Sequence, residues 1–149
     1  VNIITNRDEA GSRQITDRYR KEWRDLGQDE ASLPRMGMSR HIVISETKRE
    51  ALAIARRAYP VWRNSFYVLW DRNGMKPINV HFPEELDDLI DLGQAIVGTA
   101  DDVVEEILRQ AIASGVNYFL CRFAFGDMTY DEAKQSVDRF TSVPNVQSG

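Results

Sequence analysis

Arg122 is the residue whose setting most calls for chemistry. It sits in the apolar run Tyr118-Phe119-Leu120-Cys121-Arg122-Phe123, and a guanidinium inside such a run needs an anionic partner to offset its desolvation. That partner is either a bound ligand or a carboxylate, Asp127 or one on a neighbouring strand. His41 lies near the start of a second apolar run, Arg40-His41-Ile42-Val43-Ile44-Ser45. An imidazole there either serves a site or is a structural group within the strand. Cys121 is the only cysteine, so the chain makes no intrachain disulfide and no cysteine metal cluster. Its apolar neighbours point to a buried, inert thiol. Glu84, Glu85, Asp87 and Asp88 follow Pro83, and acids in a first helical turn suit the helix dipole without any metal. His81, beside Phe82, either gates a site or is simply exposed. Nucleotide-binding glycine loops, zinc-protease and nucleophile-elbow motifs are absent from the sequence.

The elements that must hold these groups alternate. Asn2 to Thr5 reads as a strand. Ile15, Tyr19, Trp23 and Leu26 fall on one face of a following helix that Gly27 ends. A loop from Gln28 to Gly37 leads to the strand at 40–45, whose continuous β-branched run suits a parallel sheet covered on both faces. Thr47 and Glu50 form a capping box. The helix they start carries Ala51, Leu52, Ile54, Ala55 and Ala58 and meets Pro60, which is expected to start or kink a further helix at 61–70. There Trp62, Phe66, Leu69 and Trp70 form the apolar side, read as core or subunit contact. Residues 71–92 are turn-rich and read as an insertion or lid. Ala95-Ile96-Val97 then leads to Gly98 and a Thr99 cap. That helix bears Val103, Val104, Ile107, Leu108, Ala111 and Ile112 and ends at Gly115. Residues 117–123 make the third strand, and Thr129 caps a last helix with Ala133, Val137 and Phe140 facing inward. The tail, 144–149, reads as disordered. Strand-helix units in this order specify an α/β fold with an open parallel sheet.

The chain has 149 residues and a formal net charge of -4. One domain with a real core fits that length. Its charges are interspersed, which argues against nucleic acid or an anionic membrane as the main partner. No apolar run approaches the roughly 18 residues of a membrane span, and the N-terminus lacks an apolar signal core. A soluble cytoplasmic protein is expected. The chain begins with Val and enters a strand within two residues, as a trimmed or partial chain would.

Three segments carry a family resemblance: Met38 to Leu52 (MSRHIVISETKREAL), Gly98 to Leu120 (GTADDVVEEILRQAIASGVNYFL) and Arg122 to Thr141 (RFAFGDMTYDEAKQSVDRFT). They resemble the carboxy-terminal part of luciferase-like flavin monooxygenases, of the bacterial luciferase and alkanesulfonate monooxygenase type. That family places an acid-Thr after a strand, a Gly-Thr/Ser-Pro-Glu helix start, and a Phe-Gly-Asp turn before a helix ending in Ser-x-x-x-Phe. Here Ala100 and Asp101 replace the usual Pro and Glu, and Ser136 and Phe140 match the ending.

The resemblance implies a partial (β/α)8 TIM barrel over residues 1–143. It would comprise roughly the last three βα units, with 71–92 as the insertion before the last strand. Function in such barrels sits at the carboxyl ends of strands, near Thr5 and Asn6, Ser45 and Glu46, and Arg122 with the Phe125–Asp127 turn. On that basis His41 and Arg122 are the catalytic candidates. Thr5, Ser45 and Arg122 are the cofactor-binding candidates, and no metal is implied. Arg122 would hold substrate, flavin or a peroxide oxygen. His41 matches a strand histidine near the flavin in alkanesulfonate monooxygenases, with Ser39 in place of the companion arginine and Arg40 shifted to the other face. The implied cofactor is reduced FMN or a deazaflavin. The implied partners are a small organic substrate, O2 and a separate flavin reductase. The barrel strands that supply much of the flavin site are missing, so the isolated segment is expected to be inactive. Its three-stranded sheet would leave apolar inward faces open, which implies a homo-oligomer or pairing with the missing half. A non-catalytic partial barrel and a flavin-binding protein without turnover are the alternatives.

Overall fold

The computed structural model describes residues 2–4, 7–78 and 81–144. The chain runs β1 (Asn2–Ile4), α1 (Glu9–Asp25), a 3-10 turn (Glu30–Ser32), β2 (Met36–Ile44), α2 (Lys48–Arg72), α3 (Leu86–Asp91), β3 (Ala95–Gly98), α4 (Ala100–Ser114), β4 (Tyr118–Arg122) and α5 (Tyr130–Thr141). Thr5, Asn6 and the tail from 145 to 149 lie outside the described residues.

Helix starts follow the threonines. Thr47, Thr99 and Thr129 each accept the backbone N–H three residues on, and Glu50, Asp102 and Glu132 return the bond. Each reciprocal pair satisfies two otherwise orphaned donors. Gly115 closes α4 in the left-handed conformation, with φ of 70°.

β2 is the centre of a four-stranded, wholly parallel sheet. β4 pairs along one edge of it, from Gly37 to His41. Along the other edge β1 pairs with Met36–Met38, and β3 pairs farther on with His41–Ile44. The three strands expected from sequence therefore lie in chain order, β1-β2-β4, as successive barrel units do. β3 is an addition. Only four residues long, it reads in sequence as the lead-in to the Thr99 cap.

Side chains alternate between the sheet's faces. Ile42, Ile44 and Ile96 pack with Val103, Phe119, Cys121, Phe123 and Phe140 beneath α4 and α5. Val43, Ala95 and Val97 pack on the opposite face with Ala51, Ala55, Ala58 and Tyr59 of α2 and Leu86 and Leu89 of α3. The chain steps from β2 to β3 on the β1 side, then crosses to β4 on the other side. Right-handed crossovers in opposite directions put their helices on opposite faces. α2 and α3 thereby cover the face that a bare three-stranded sheet would leave open, which removes that premise for the expected oligomer.

Three local expectations are corrected. α1 buries Ser12 and Thr16, whereas Ile15 is 43% exposed and Leu26 72% exposed. Small side chains let α1 approach the end of α4: Thr16 Oγ1 donates to the Ser114 carbonyl at 2.7 Å, and a Cβ on Gly115 would come within 2.8 Å of that oxygen. Second, α2 is one helix of 25 residues with Pro60 inside it, so Pro60 starts no separate helix. Pro60 is exposed while Ala55, Ala58 and Tyr59 are buried, so burial of one continuous face outweighs the lost backbone bond. Third, Phe82 in the 71–92 segment is buried in the core, like Leu86 and Leu89. Phe82 N–H donates to Tyr67 Oη at 2.9 Å, and Tyr59 Oη donates to the Pro83 carbonyl at 2.5 Å. No helix among the described residues is long and apolar enough to cross a membrane.

Candidate functional site

The β2–β4 register sets His41 directly opposite Arg122, so the two residues singled out from separate apolar runs share one place on the sheet. Both meet Trp62 of α2. The His41 ring lies edge-on to the indole, with ring centroids 4.3 Å apart, and Arg122 Cζ is 5.7 Å from the indole centre. Phe125 closes the other side of the imidazole at 4.5 Å.

His41 is 1% exposed, and neither ring nitrogen has a hydrogen-bond partner. Burial, and secondarily the Arg122 charge, hold its pKa down at about 3. The imidazole is therefore neutral at pH 7 and adds no second positive charge. Arg122 is half-buried, and burial lowers its pKa as well. Its Nε is buried without a partner, and among the described residues no carboxylate comes within ion-pair distance of it. Asp127, one of the partners that the sequence offers it, instead accepts from Arg57 Nε at 3.2 Å. Arg57 also donates to Glu132 at 2.6 Å. Arg122 is thus a desolvated cation for which the described residues supply no counter-charge.

The turn after β4 fixes Phe125. Met128 N–H donates to the Phe125 carbonyl at 3.2 Å. Gly126 has φ of +60°, and a Cβ there would stand 1.9 Å from the Ala58 carbonyl oxygen. Only glycine lets this turn lie directly on the α2 backbone.

Ser45 is committed elsewhere. Its Oγ donates to Glu50 Oε2 at 3.2 Å, and its N–H donates to the Gly98 carbonyl at 3.2 Å. Bonds from Thr47 and then Ser45 hold the Glu50 carboxyl below its usual range. Glu46 accepts from Arg139 at 3.1 Å. Arg40 lies on the opposite face, as its strand position implies, and is fully buried. It donates to Gln110 Oε1 at 3.0 Å, the Ser39 carbonyl at 3.1 Å and the Arg7 carbonyl at 3.2 Å. Burial pushes the Cys121 thiol up to about 11, which suits an inert residue. His81 is exposed. Trp62 is the site residue that sequence reasoning assigned to core or subunit packing. Helical spacing shows that it faces inward but carries no signal for what it meets. Among the described residues no cluster of metal-ligating side chains exists.

No family model matches the chain. It is 33% identical over 119 residues to the uncharacterized protein y4wF of Sinorhizobium fredii, a match covering 80% of this chain and 34% of that protein. Three solved structures share the fold at 17% identity. Monooxygenase RslO1 from Streptomyces bottropensis superposes with a TM-score of 0.70, covering 93% of this chain and 39% of its own. The oxygenating constituent of the Pseudomonas putida 3,6-diketocamphane monooxygenase, a type II Baeyer-Villiger enzyme in complex with FMN, gives 0.66, covering 94% and 40%. EDTA monooxygenase from Chelativorans sp. BNC1 gives 0.60, covering 99% and 40%. The chain spans about a third of the curated relative and about two fifths of these structures. It carries part of the α/β barrel fold of luciferase-like monooxygenases.

Proposed function

We propose that this chain is the carboxy-terminal portion of a flavin-dependent monooxygenase that uses reduced flavin and O2 to oxygenate a small organic substrate. The observation that carries this reading is the His41–Arg122 pair: two candidates from the sequence stand in register, on a fold shared with monooxygenases. Arg122 supplies the anion-binding contact of the site, for the substrate or for a cofactor group. Trp62 holds the guanidinium against its ring face. His41 stays neutral and keeps the charge there to one guanidinium.

A bound flavin would bring the oxygen chemistry, which no side chain here supplies. The described residues do not by themselves accommodate a flavin ring at this place. His41 is sealed under Trp62 and Phe125, and Ser45 is occupied by Glu50. The segment alone is therefore inactive, and the flavin, FMN or a deazaflavin, is held largely by the rest of the parent barrel. A separate reductase in the cytoplasm is the expected source of reduced flavin. A second reading, a partial barrel without catalysis that pairs with another copy, is favoured by Ile15 and Leu26 on α1 and Ile112 on α4, which is 77% exposed.

The test compares this segment with a longer chain that contains it. A flavin absorbance scan and O2 consumption with a reductase and NADH should show a colourless, inactive segment. The longer chain should be yellow and consume O2 in a substrate-dependent way, and Arg122→Gln should weaken that dependence. A longer chain that binds no flavin would sink the proposal in favour of the second reading.

A further inference from the structure

A cleft of about 810 Å³ opens on the other flank of α2, where β1 ends and β3 begins. It lies apart from the His41–Arg122 pair. Trp62 and Phe66 point from α2 into the aromatic cluster with Phe82, whereas Arg63 and Tyr67, one step round the helix, line the cleft. Its volume falls in the usual range for a small-molecule site.

The charges on its walls do not balance. Arg7 and Lys76 line it, and neither has an ion-pair partner among the described residues. Arg63 is fixed in place by donating from Nε to the Phe82 carbonyl at 3.0 Å. Its guanidinium lies 4.9 Å over the Tyr67 ring and makes a long ion pair, 3.9 Å, with the exposed Glu84. Of the two acids on the walls, Asp8 is occupied capping α1, accepting from Gly11 N–H at 2.8 Å. With Arg63 paired to Glu84, Asp71 is the one wall acid left to oppose Arg7 and Lys76. Gln94, 8% exposed, also lines the cleft, and its Oε1 is buried without a partner.

Beside these and the polar Asn64 and His81, the lining offers an apolar and aromatic surface, chiefly Tyr67, Met75 and Leu92. A bare inorganic anion would use the cations and leave that surface wet. A neutral aromatic would leave the cations unanswered. We propose that this cleft binds a small amphipathic organic anion, with its acid group between Arg7 and Lys76. Its ring or short apolar body lies along Tyr67, Met75 and Leu92, and Arg63 and the Gln94 amide lie within reach of its polar edge.

The experiment uses the 149-residue chain and phenyl phosphate as probe, with inorganic phosphate and phenol as the two half-probes. Calorimetric titration should give saturable 1:1 binding of phenyl phosphate, tighter than either half-probe. Amide chemical shifts should move at Tyr67 and Gln94. The double substitution Arg7→Gln with Lys76→Gln, both on exposed side chains, should weaken binding about tenfold or more, a change of about 1.4 kcal/mol, with an unchanged melting curve. Arg122→Gln should leave it untouched. Three results would overturn the assignment: no saturable binding, inorganic phosphate binding as tightly as phenyl phosphate, or binding lost with Arg122→Gln but kept in the double variant.

Discussion

His41 and Arg122 stand opposite each other across the β2–β4 ladder, and a single indole, Trp62, lies against both. Their protonation is therefore coupled. A second positive charge on the imidazole would be buried beside a guanidinium that has no counter-ion among the described residues.

Burial of His41, and secondarily the Arg122 charge beside it, makes stability fall in mild acid. The folded-state pKa of His41, about 3, lies below its ordinary 6.5, so the unfolded chain binds the proton first. The stabilisation is whole above pH 6.5 and declines as pH falls from there toward 3, by about 1.4 kcal/mol per pH unit. Urea unfolding should show a loss of about 2 kcal/mol between pH 7 and pH 5. The chain has only two histidines, and the other, His81, is exposed. His41→Leu should flatten most of this slope; a slope that persists in the variant would put the titrating group elsewhere.

Removing the neighbouring charge should move the imidazole. Arg122 is the second cause, after burial, of the depressed His41 pKa. In Arg122→Met the His41 ring resonances should titrate at higher pH than in the parent, while remaining below the ordinary value because burial is unchanged. An unshifted titration would mean that the two groups do not sense each other in solution.

Gly126 allows no side chain. A Cβ would meet the Ala58 carbonyl oxygen at 1.9 Å, at a φ of +60°. Both the clash with backbone and the strained dihedral oppose alanine, so Gly126→Ala should cost about 3 kcal/mol or more. Phe125, displaced with the turn, should also leave His41, visible as new ring shifts. A thermal melt within a degree or two of the parent would contradict this close approach.

On α1 the polar face matters more than the apolar one. Thr16→Val removes the donor to the Ser114 carbonyl and should cost about 1 to 2 kcal/mol, because a buried acceptor is left unsatisfied. Leu26→Ser, at an exposed site, should stay within about 0.5 kcal/mol of the parent. Chemical denaturation of the two variants decides the order. If Leu26→Ser proves the costlier, a partner in solution covers that stripe.

What was legible in sequence follows the range of the interactions involved. The threonine caps at Thr47, Thr99 and Thr129 are written within four residues, and all three form as expected. The strand around His41 was clear from its β-branched run, although its start at Met36 was hidden by Gly37 and Ser39. On α1 hydrophobicity favours Ile15, Tyr19 and Trp23, whereas helix contact is decided by how closely Ser12 and Thr16 let the backbones approach. Pro60 in sequence allows a new helix start, and that it lies within one helix follows from the continuity of the buried face, a tertiary fact. His41 and Arg122 could each be chosen from their own strands. Their pairing was not legible, since register between strands so far apart in sequence leaves no local pattern. The same holds for the role of Trp62.

The arrangement of β2 has a mechanical consequence. Among the described residues, β1, β3 and β4 each pair with β2 and not with one another. The sheet has no smaller version: release of β2 would leave three separate ribbons with no ladder between them. Amide exchange should accordingly be slowest along Met38 to Ile44 and should track one global opening rather than stepwise fraying. Any communication through the sheet from the Arg122 edge to the edge that β1 and β3 share has to cross this one strand.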